Sequence, residues 1–223
     1  MQKTREKALT EREYELLLLG AGQIEDEGER LEARAVILIG GRLGLRPGEV
    51  THLDESWVNR RREMIHIPSN DPCTKGRDGG RCGYCNQAAK QQINHDEEKN
   101  LDDVLETYWN PKTDAAVRDI PYGFSQRVAT TTELLIDENG GWSYSFSTLQ
   151  RRLDQALEHA PRIDPDATTL HGLRATAASF HAGRGLESAA LQAMFGWEDL
   201  STAKSYVSID GEMTRRALSE VHG

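Results

Sequence analysis

The 223-residue sequence lacks the features that mark secreted and membrane proteins. Its N-terminus, MQKTREKALTEREYELLLLG, begins polar, and its longest apolar run is four leucines, whereas a membrane span needs about 20 apolar residues. The sequence has only three cysteines, an odd number that does not suit a disulfide framework. We therefore expect a cytoplasmic protein without a membrane partner, and this length fits one domain.

Phosphate-binding glycine loops are also absent. No GxxxxGK[ST] segment occurs, and the glycines of AVILIGGRLG do not have the GxGxxG spacing. No βαβ alternation follows that segment, as a dinucleotide fold would require. These absences argue against chemistry that depends on ATP or a dinucleotide.

The net charge of −9 is concentrated in two segments. Residues 24–32 and 96–106 together hold eleven acidic and two basic residues, so the remainder of the chain is neutral. A neutral remainder can still present one basic face to nucleic acid. The bases are 20 Arg and 7 Lys, which suits bidentate phosphate contacts. Acidic excess with few lysines also resembles proteins of salt-loving organisms, which suggests a haloarchaeal type.

Helical patterns dominate, with a small sheet between them. Thr10 and Glu13 form a capping box before a leucine run, a second helix is predicted from Glu27, and Pro47 starts a short one. EMIHIP alternates as a strand does, and a strand pair is predicted across YWNPKTDAAVRDIPYG with its turn near 113–115. After Gly123 the pattern is again helical. The sequence predicts a mostly α, α+β fold with a small antiparallel sheet.

Two pairs of residues have the types and spacing of a phosphate site. His171 and Arg174 in HGLR are three apart, so on a helix both project from one face. Arg46 lies at a helix boundary with Glu49 three residues on to orient it. Each pair alone is also typical of an ordinary exposed helix or ion pair.

Three further residues gain meaning only from their order in the chain. Lys112 falls in the predicted hairpin, where lysine is usually a solvated turn residue. Trp197 and Tyr206 would ordinarily be packed aromatics.

The joint pattern resembles the catalytic domain of the tyrosine recombinase (phage integrase) family. LGLRPGEV looks like the first arginine box, HGLRATAASFHAGRG like the second, MFGWEDLSTAKSYVSI like the tyrosine box, and PKTDAAVRDIP like the lysine hairpin. Trp197 lies 26 residues after His171, and Tyr206 nine after Trp197, as in the family. The resemblance implies one DNA breaking-rejoining catalytic domain over residues 1–223.

The resemblance also implies a role for each position. Arg46 and Arg174 would bind the non-bridging oxygens of the scissile phosphate. His171 would transfer the proton of the nucleophile. Lys112 would protonate the leaving 5′ oxygen, and the Trp197 indole would offer one N–H. Tyr206 would then hold the 3′ phosphate covalently. No cofactor is needed for catalysis, and the implied partners are a double-stranded DNA attachment site and further copies of the chain.

Two departures from the family keep other functions open. Ala175 stands where many relatives have a second histidine, and the sequence opens almost directly on the catalytic domain. Either the DNA-clamping domain that usually precedes it was trimmed, or the chain is a minimal enzyme that relies on partners to encircle DNA. The alternatives are a non-catalytic DNA-binding accessory factor of the same fold and a type IB topoisomerase-like enzyme.

The insertion at residues 70–106 contains all three cysteines. Cys73, Cys82 and Cys85 include a CGYC knuckle of the kind that binds structural zinc. The fourth ligand is predicted to be one of three residues: His66, Asp71 or His95. Free reduced thiols and a redox CxxC are the alternatives.

Basic residues in two places are candidates for DNA contact. Lys75, Arg77 and Arg81 lie in the cysteine insertion and could meet phosphates. Arg151 and Arg152 lie on the predicted helix STLQRRLDQALEHA, which could face a DNA groove, although a charged solvent face is equally in keeping with the pattern.

Overall fold

The computed structural model describes residues 7–69, 71, 73–76, 79–93, 109, 114–207, 218–219 and 221–222. Three of the predicted site residues, Arg77, His95 and Lys112, lie outside the described residues.

The first two helices begin where the sequence predicts. Helix α1 spans Glu11–Ala21, and its capping box joins the Glu13 amide to the Thr10 hydroxyl at 3.3 Å and the Thr10 amide to the Glu13 carboxylate at 2.8 Å. Helix α2 spans Glu27–Leu38 and continues into a π-helical turn, Ile39–Leu43. The apparent strand AVILIGG is therefore helical.

The remaining helices of the described part of the chain follow in order: α3 Pro47–His52, α4 Gly83–Ile93, α5 Gln126–Asn139, α6 Phe146–Glu158, α7 Leu170–Gly183, α8 Ser188–Phe195 and α9 Leu200–Val207. Pro47 starts α3 as expected, since its fixed φ suits a first helical turn. Single 3₁₀ turns occur at Glu55–Trp57 and Asp114–Ala116.

Three short strands form one antiparallel sheet in the order β1-β2-β3. They are β1 Val58–Asn59, β2 Met64–Ile67 and β3 Arg118–Pro121. The mostly helical fold with a small antiparallel sheet is confirmed. The described partner of β3 is β2, with Ile67 opposite Arg118. Apart from Trp109, the predicted first strand of the pair before β3 lies outside the described residues. Trp109 instead forms an isolated bridge with Asp71.

Close backbone packing joins the segment after α2 to helix α7. Gly40, in the π-helical turn, lies against Leu173, where a Cβ atom would be only 3.2 Å from the leucine side chain. Arg42 in the same turn is sandwiched between the rings of Tyr14 and Phe180, at 3.6 and 3.8 Å. The contact between Gly40 and Leu173 brings the loop before α3 close to Arg174, the next residue of α7. Among the described residues, no helix is both long and apolar enough to span a membrane.

Candidate active site

Arg46 and Glu49 form the first part of the site, at the start of α3. Arg46 is the N-cap residue, and its guanidinium donates to Glu49 Oε1 at 2.8 Å. The other carboxylate oxygen accepts from the Arg46 backbone amide at 2.7 Å. The side chain of Arg46 is 23% exposed, whereas that of Glu49 is 1% exposed. Glu49 thus fixes Arg46 while leaving part of its guanidinium open to solvent.

Arg118 is a third arginine of this site that the sequence analysis missed. Its two terminal nitrogens donate to the two oxygens of Glu49, both at 2.9 Å, and its Nε donates to the Met194 carbonyl at 2.7 Å. The sequence VRDIP indicates a buried position for Arg118, because the alternation of a strand places Arg118 and the fully buried Ile120 on the same side of β3. An arginine on the buried side of a strand requires a buried partner.

The Glu49 carboxylate is ionised despite its burial. Burial alone would raise the pKa of Glu49, but the hydrogen bonds and charge of Arg118, with the charges of Arg174 and Arg46, lower it to about 2. One carboxylate therefore faces three guanidinium groups, which leaves a local net charge of +2.

Arg174 carries the least compensated of these charges. It is 5% exposed and donates to the carbonyls of Gly44 and Phe195. Burial, as the largest cause, and the charges of Arg46 and Arg118 lower the pKa of Arg174 to about 9, although the charge of Glu49 opposes them. The group is still charged at neutral pH, and a bound anion would stabilise it.

The end of helix α8 connects the arginines to the predicted nucleophile. Arg174 donates to the carbonyl of Phe195 and Arg46 to that of Gly196, the latter at 3.0 Å. Gly196 ends the helix with a left-handed φ of 56°, and a Cβ there would lie 2.7 Å from the Ala115 carbonyl oxygen. Glycine is required at this turn, which directs the chain into Trp197 and α9.

The predicted tyrosine lies in a stack of three aromatic rings. Tyr206 is 6% exposed and packs parallel to Trp197 at 5.3 Å, and Trp197 packs on Phe195 at 4.8 Å. The guanidinium of Arg174 lies 5.9 Å from the Trp197 ring. His171 is exposed in the first turn of α7, three residues before Arg174. Contacts thus connect four of the six predicted catalytic positions: Arg46, Arg174, Trp197 and Tyr206. His171 lies on the same helix as Arg174, and Lys112 lies outside the described residues.

The candidate DNA-contact residues have different environments. Arg152 is 4% exposed and pairs with Glu32 at 2.6 Å and with Glu29 at 2.9 Å. Its predicted role is therefore corrected: Arg152 joins α6 to α2 and has no free face for a phosphate. Arg151 is exposed and Arg81 half-buried, while Lys75 donates to the Trp142 carbonyl at 2.8 Å.

The three cysteines meet a histidine that the sequence analysis did not select. Cys73, Cys82, Cys85 and His52 place one ligand atom each within 4.8 Å of one another. His52 is the last residue of α3, and its local sequence does not mark it as a ligand because the nearest cysteine of the cluster lies 21 residues further along the chain.

Two of the three residues predicted as fourth ligand are held elsewhere. His66 is bound to Asp119 at 2.8 Å on the exposed side of β2, and Asp71 accepts from the Trp57 indole at 2.7 Å. Neither joins the described cluster, because each is committed to another partner; His95 lies outside the described residues.

The sequence profile of the phage integrase family matches residues 7–213. A comparison with curated protein sequences finds no match. Among solved structures, XerA recombinase is similar with a TM-score of 0.61 and 15% identity over 97% of this chain and 65% of that protein. The Tn1549 transposon integrase, in complex with a circular intermediate DNA, is similar with a TM-score of 0.62 and 17% identity over 97% of this chain and 66% of that protein.

The XerH site-specific recombinase, bound to its difH substrate in a pre-cleavage complex, gives a TM-score of 0.57 and 15% identity over 97% of this chain and 55% of that protein. The chain thus spans less than two thirds of the length of the solved relatives above. At these sequence identities the comparisons show a shared fold, which extends over 97% of this chain.

Proposed function

This chain belongs to the phage integrase family, and on that basis we propose that it cleaves and rejoins DNA at specific sites through a 3′-phosphotyrosine at Tyr206. The observation that carries the proposal is the end of helix α8. There, Arg46 and Arg174 are hydrogen-bonded to successive residues of the segment that leads into Trp197 and Tyr206. These bonds hold two guanidinium groups beside the segment that bears the Tyr206 phenol, which supports a common role for them in binding and attacking a phosphate.

The arginines would bind the scissile phosphate and stabilise its transition state. Charge on the non-bridging oxygens grows as the tyrosine attacks, and fixed guanidinium donors stabilise it without reorganisation. Loss of one such donor typically costs about 3 to 4 kcal/mol of activation free energy. Arg118 and Glu49 are supporting residues, since their mutual hydrogen bonds fix the position of Arg46.

Strand cleavage is a transesterification that needs two proton transfers. The Tyr206 oxygen forms a bond to phosphorus as the bond from phosphorus to the 5′ oxygen breaks. His171 would take the phenol proton, because a free tyrosine with a pKa near 10 is almost fully protonated at neutral pH. Lys112 would give a proton to the leaving 5′ oxygen, and Trp197 could add one indole N–H to the phosphate. A new 5′ hydroxyl reverses the reaction.

Double-stranded DNA with an attachment site is the proposed substrate. The Tn1549 integrase and XerH were both solved in complex with DNA, which supports DNA as the partner here. Each cleaved strand needs its own tyrosine, so exchange between two duplexes would require several copies of the chain. No cofactor takes part in this chemistry, since the phosphotyrosine conserves the energy of the broken bond.

A covalent-adduct assay tests the proposal. The protein is incubated with nicked DNA carrying candidate attachment sites, so that cleavage releases a short strand and traps the adduct. We expect wild-type protein to form the adduct and Tyr206→Phe to form none, because only Tyr206 supplies the nucleophile. Tyr144→Phe is the matched control: this tyrosine is exposed, and its loss should leave the adduct unchanged.

An adduct that persists in Tyr206→Phe would overturn the assignment of the nucleophile. Retention of a cognate site by wild-type protein without any adduct would instead favour an accessory factor.

A further inference from the structure

The four side chains of the cysteine–histidine cluster (His52, Cys73, Cys82 and Cys85) point their ligand atoms at one another. Nε2 of His52 lies 3.4 Å from the sulfur of Cys73, 3.4 Å from that of Cys82 and 3.2 Å from that of Cys85. In a tetrahedral zinc site with bonds of about 2.1 Å to nitrogen and 2.3 Å to sulfur, neighbouring nitrogen and sulfur atoms are about 3.5 Å apart. The cluster thus has the ligand number and spacing of a closed structural zinc site.

The second nitrogen of His52 is also arranged as in metal sites. Its Nδ1 lies 2.8 Å from the Gly48 carbonyl oxygen, which must accept a hydrogen and so requires the proton on Nδ1. The lone pair of Nε2 is therefore directed at the three sulfurs. A ligating histidine almost always has such an outer hydrogen bond, which fixes its tautomer.

Backbone donors surround the sulfurs as well. The amide of Cys82 donates to the Cys73 sulfur and the amide of Cys85 to the Cys82 sulfur, both at 3.4 Å. Such bonds stabilise the thiolate form that binds metal. None of the three cysteines is in a disulfide, and pairing any two of them would leave the third beside His52 without a partner.

We propose that the chain binds one Zn²⁺ through His52, Cys73, Cys82 and Cys85, and that this ion fastens helix α3 to the cysteine segment. Three thiolates and one imidazole are a ligand set that selects zinc over calcium or magnesium, which prefer oxygen. All four protein ligands are present, so the ion has a structural role and no open position for a substrate.

The position of His52 gives this metal site a link to the arginine cluster. Helix α3 is six residues long, with Arg46 as its N-cap and His52 at its end. Such a short helix is not stable by itself. Zinc would hold one end while Glu49 and Arg118 hold the other. The effect on catalysis rests on the role proposed above for Arg46, whereas zinc binding itself does not.

Aromatic packing closes the site from outside. The Trp109 ring stacks on His52 at 4.3 Å, and Tyr84 covers Gly48 so closely that a Cβ there would lie 2.7 Å from the tyrosine hydroxyl. An apolar shell of this kind limits the access of water to metal–thiolate bonds.

Metal analysis of protein purified without added metal tests the binding. We expect one zinc per chain in the wild type and less than about one tenth of that in Cys85→Ser and in His52→Asn, since loss of a ligand weakens a closed site strongly. His66→Asn is the matched control and should retain one zinc, because His66 is bound to Asp119 outside the cluster. Cobalt substitution of the wild type should give the visible absorption of a tetrahedral thiolate site.

Zinc-free wild-type protein whose three thiols titrate freely would overturn the proposal, and so would full zinc retention in both Cys85→Ser and His52→Asn. These measurements need no DNA, so they can fail or succeed independently of the covalent-adduct assay.

Amide hydrogen exchange tests the fastening of α3. We expect removal of zinc by a chelator to speed exchange in α3 by at least tenfold more than in α6, which contributes no ligand, and re-addition of zinc to restore protection. Equal exchange in α3 with and without zinc, or equal loss of protection in both helices, would contradict a local role for the ion.

Discussion

The ionised state of Glu49 determines the charge balance of the arginine site. This carboxylate is 1% exposed, yet it accepts two hydrogen bonds from Arg118 and one from the side chain of Arg46. Breaking a buried pair by removing one partner is strongly destabilising, since it leaves a charge without compensation. The site therefore tolerates its excess positive charge only while Glu49 is ionised.

Acid should weaken the protein through this one group. The folded pKa of Glu49 is about 2, below its ordinary value of 4.5, so its contribution to stability is complete above about pH 5. That contribution is lost as the pH falls through the folded pKa of about 2, and it amounts to about 3 kcal/mol. We expect the free energy of unfolding, measured by urea denaturation from pH 6 to 2, to fall more steeply in the wild type than in Glu49→Gln.

Glu158→Gln removes an exposed carboxylate and should keep the wild-type slope. An NMR titration of the Glu49 carboxyl carbon measures the folded pKa of this group directly in the wild type. A midpoint near pH 4.5 would contradict the ion-pair network.

The order and spacing of residues in the sequence predicted one group that the fold brings together, while the catalytic roles of its members stay predictions. Arg46, Arg174, Trp197 and Tyr206 were predicted from order and separation, and the fold places them in one site. Arg118 and His52 were not predicted, because each acts on a partner far away in the chain: Arg118 on Glu49, and His52 on the three cysteines. The alternation in β3 indicates that Arg118 needs a buried partner, but the identity of that partner and the role of His52 become visible only when the tertiary contacts are known.

At the scale of elements, the junction between α8 and α9 depends on a tightly constrained glycine. Gly196 has a left-handed φ of 56°, and its missing side chain leaves room for the Ala115 carbonyl and for Cδ of Arg118, which would lie 2.7 and 3.0 Å from a Cβ. Helix boundaries of this kind were predictable from glycine in the sequence. The close approach of the Asp114–Ala116 turn was not, because it depends on how β3 lies against α8.

Gly196→Ala should therefore destabilise the fold by more than the cost of placing alanine in a left-handed conformation. We expect it to lower the free energy of unfolding by about 1 to 2 kcal/mol for the φ angle, plus a further loss as the 114–116 turn and Arg118 shift. Urea denaturation measures the total.

Gly140→Ala is the matched control, since Gly140 also ends a helix at a φ of 65° and a Cβ there would meet nothing within 4 Å. Equal losses in the two variants would refute the steric contribution at Gly196.

Across the whole molecule, a net charge of −9 surrounds an arginine cluster of opposite sign. The overall charge repels DNA at long range, so the DNA binding proposed above would depend on local positive sites. At the arginine cluster, burial and neighbouring guanidinium groups disfavour the charge of Arg174. A small tetrahedral anion that relieves this charge should stabilise the folded chain.

Inorganic phosphate should thus raise the melting temperature at constant ionic strength. An anion at 100 times its dissociation constant adds about 2.7 kcal/mol, which corresponds to a rise of several degrees for a chain of this size. The rise should be largely lost in Arg46→Gln and retained in Arg60→Gln, whose arginine is exposed and pairs with Asp137. The same rise in both variants would place the anion elsewhere.

In the proposed reaction, the hydrogen bonds from Arg46 and Arg174 to the end of α8 would also affect product release. A departing phosphate would not leave buried donors unpaired, because the carbonyls of Gly196 and Phe195 can take its place. Release is then an exchange of acceptors, which lowers its barrier at the expense of binding strength. An enzyme whose turnover requires dissociation of the rejoined strands benefits more from such an exchange than from stronger binding of the phosphate.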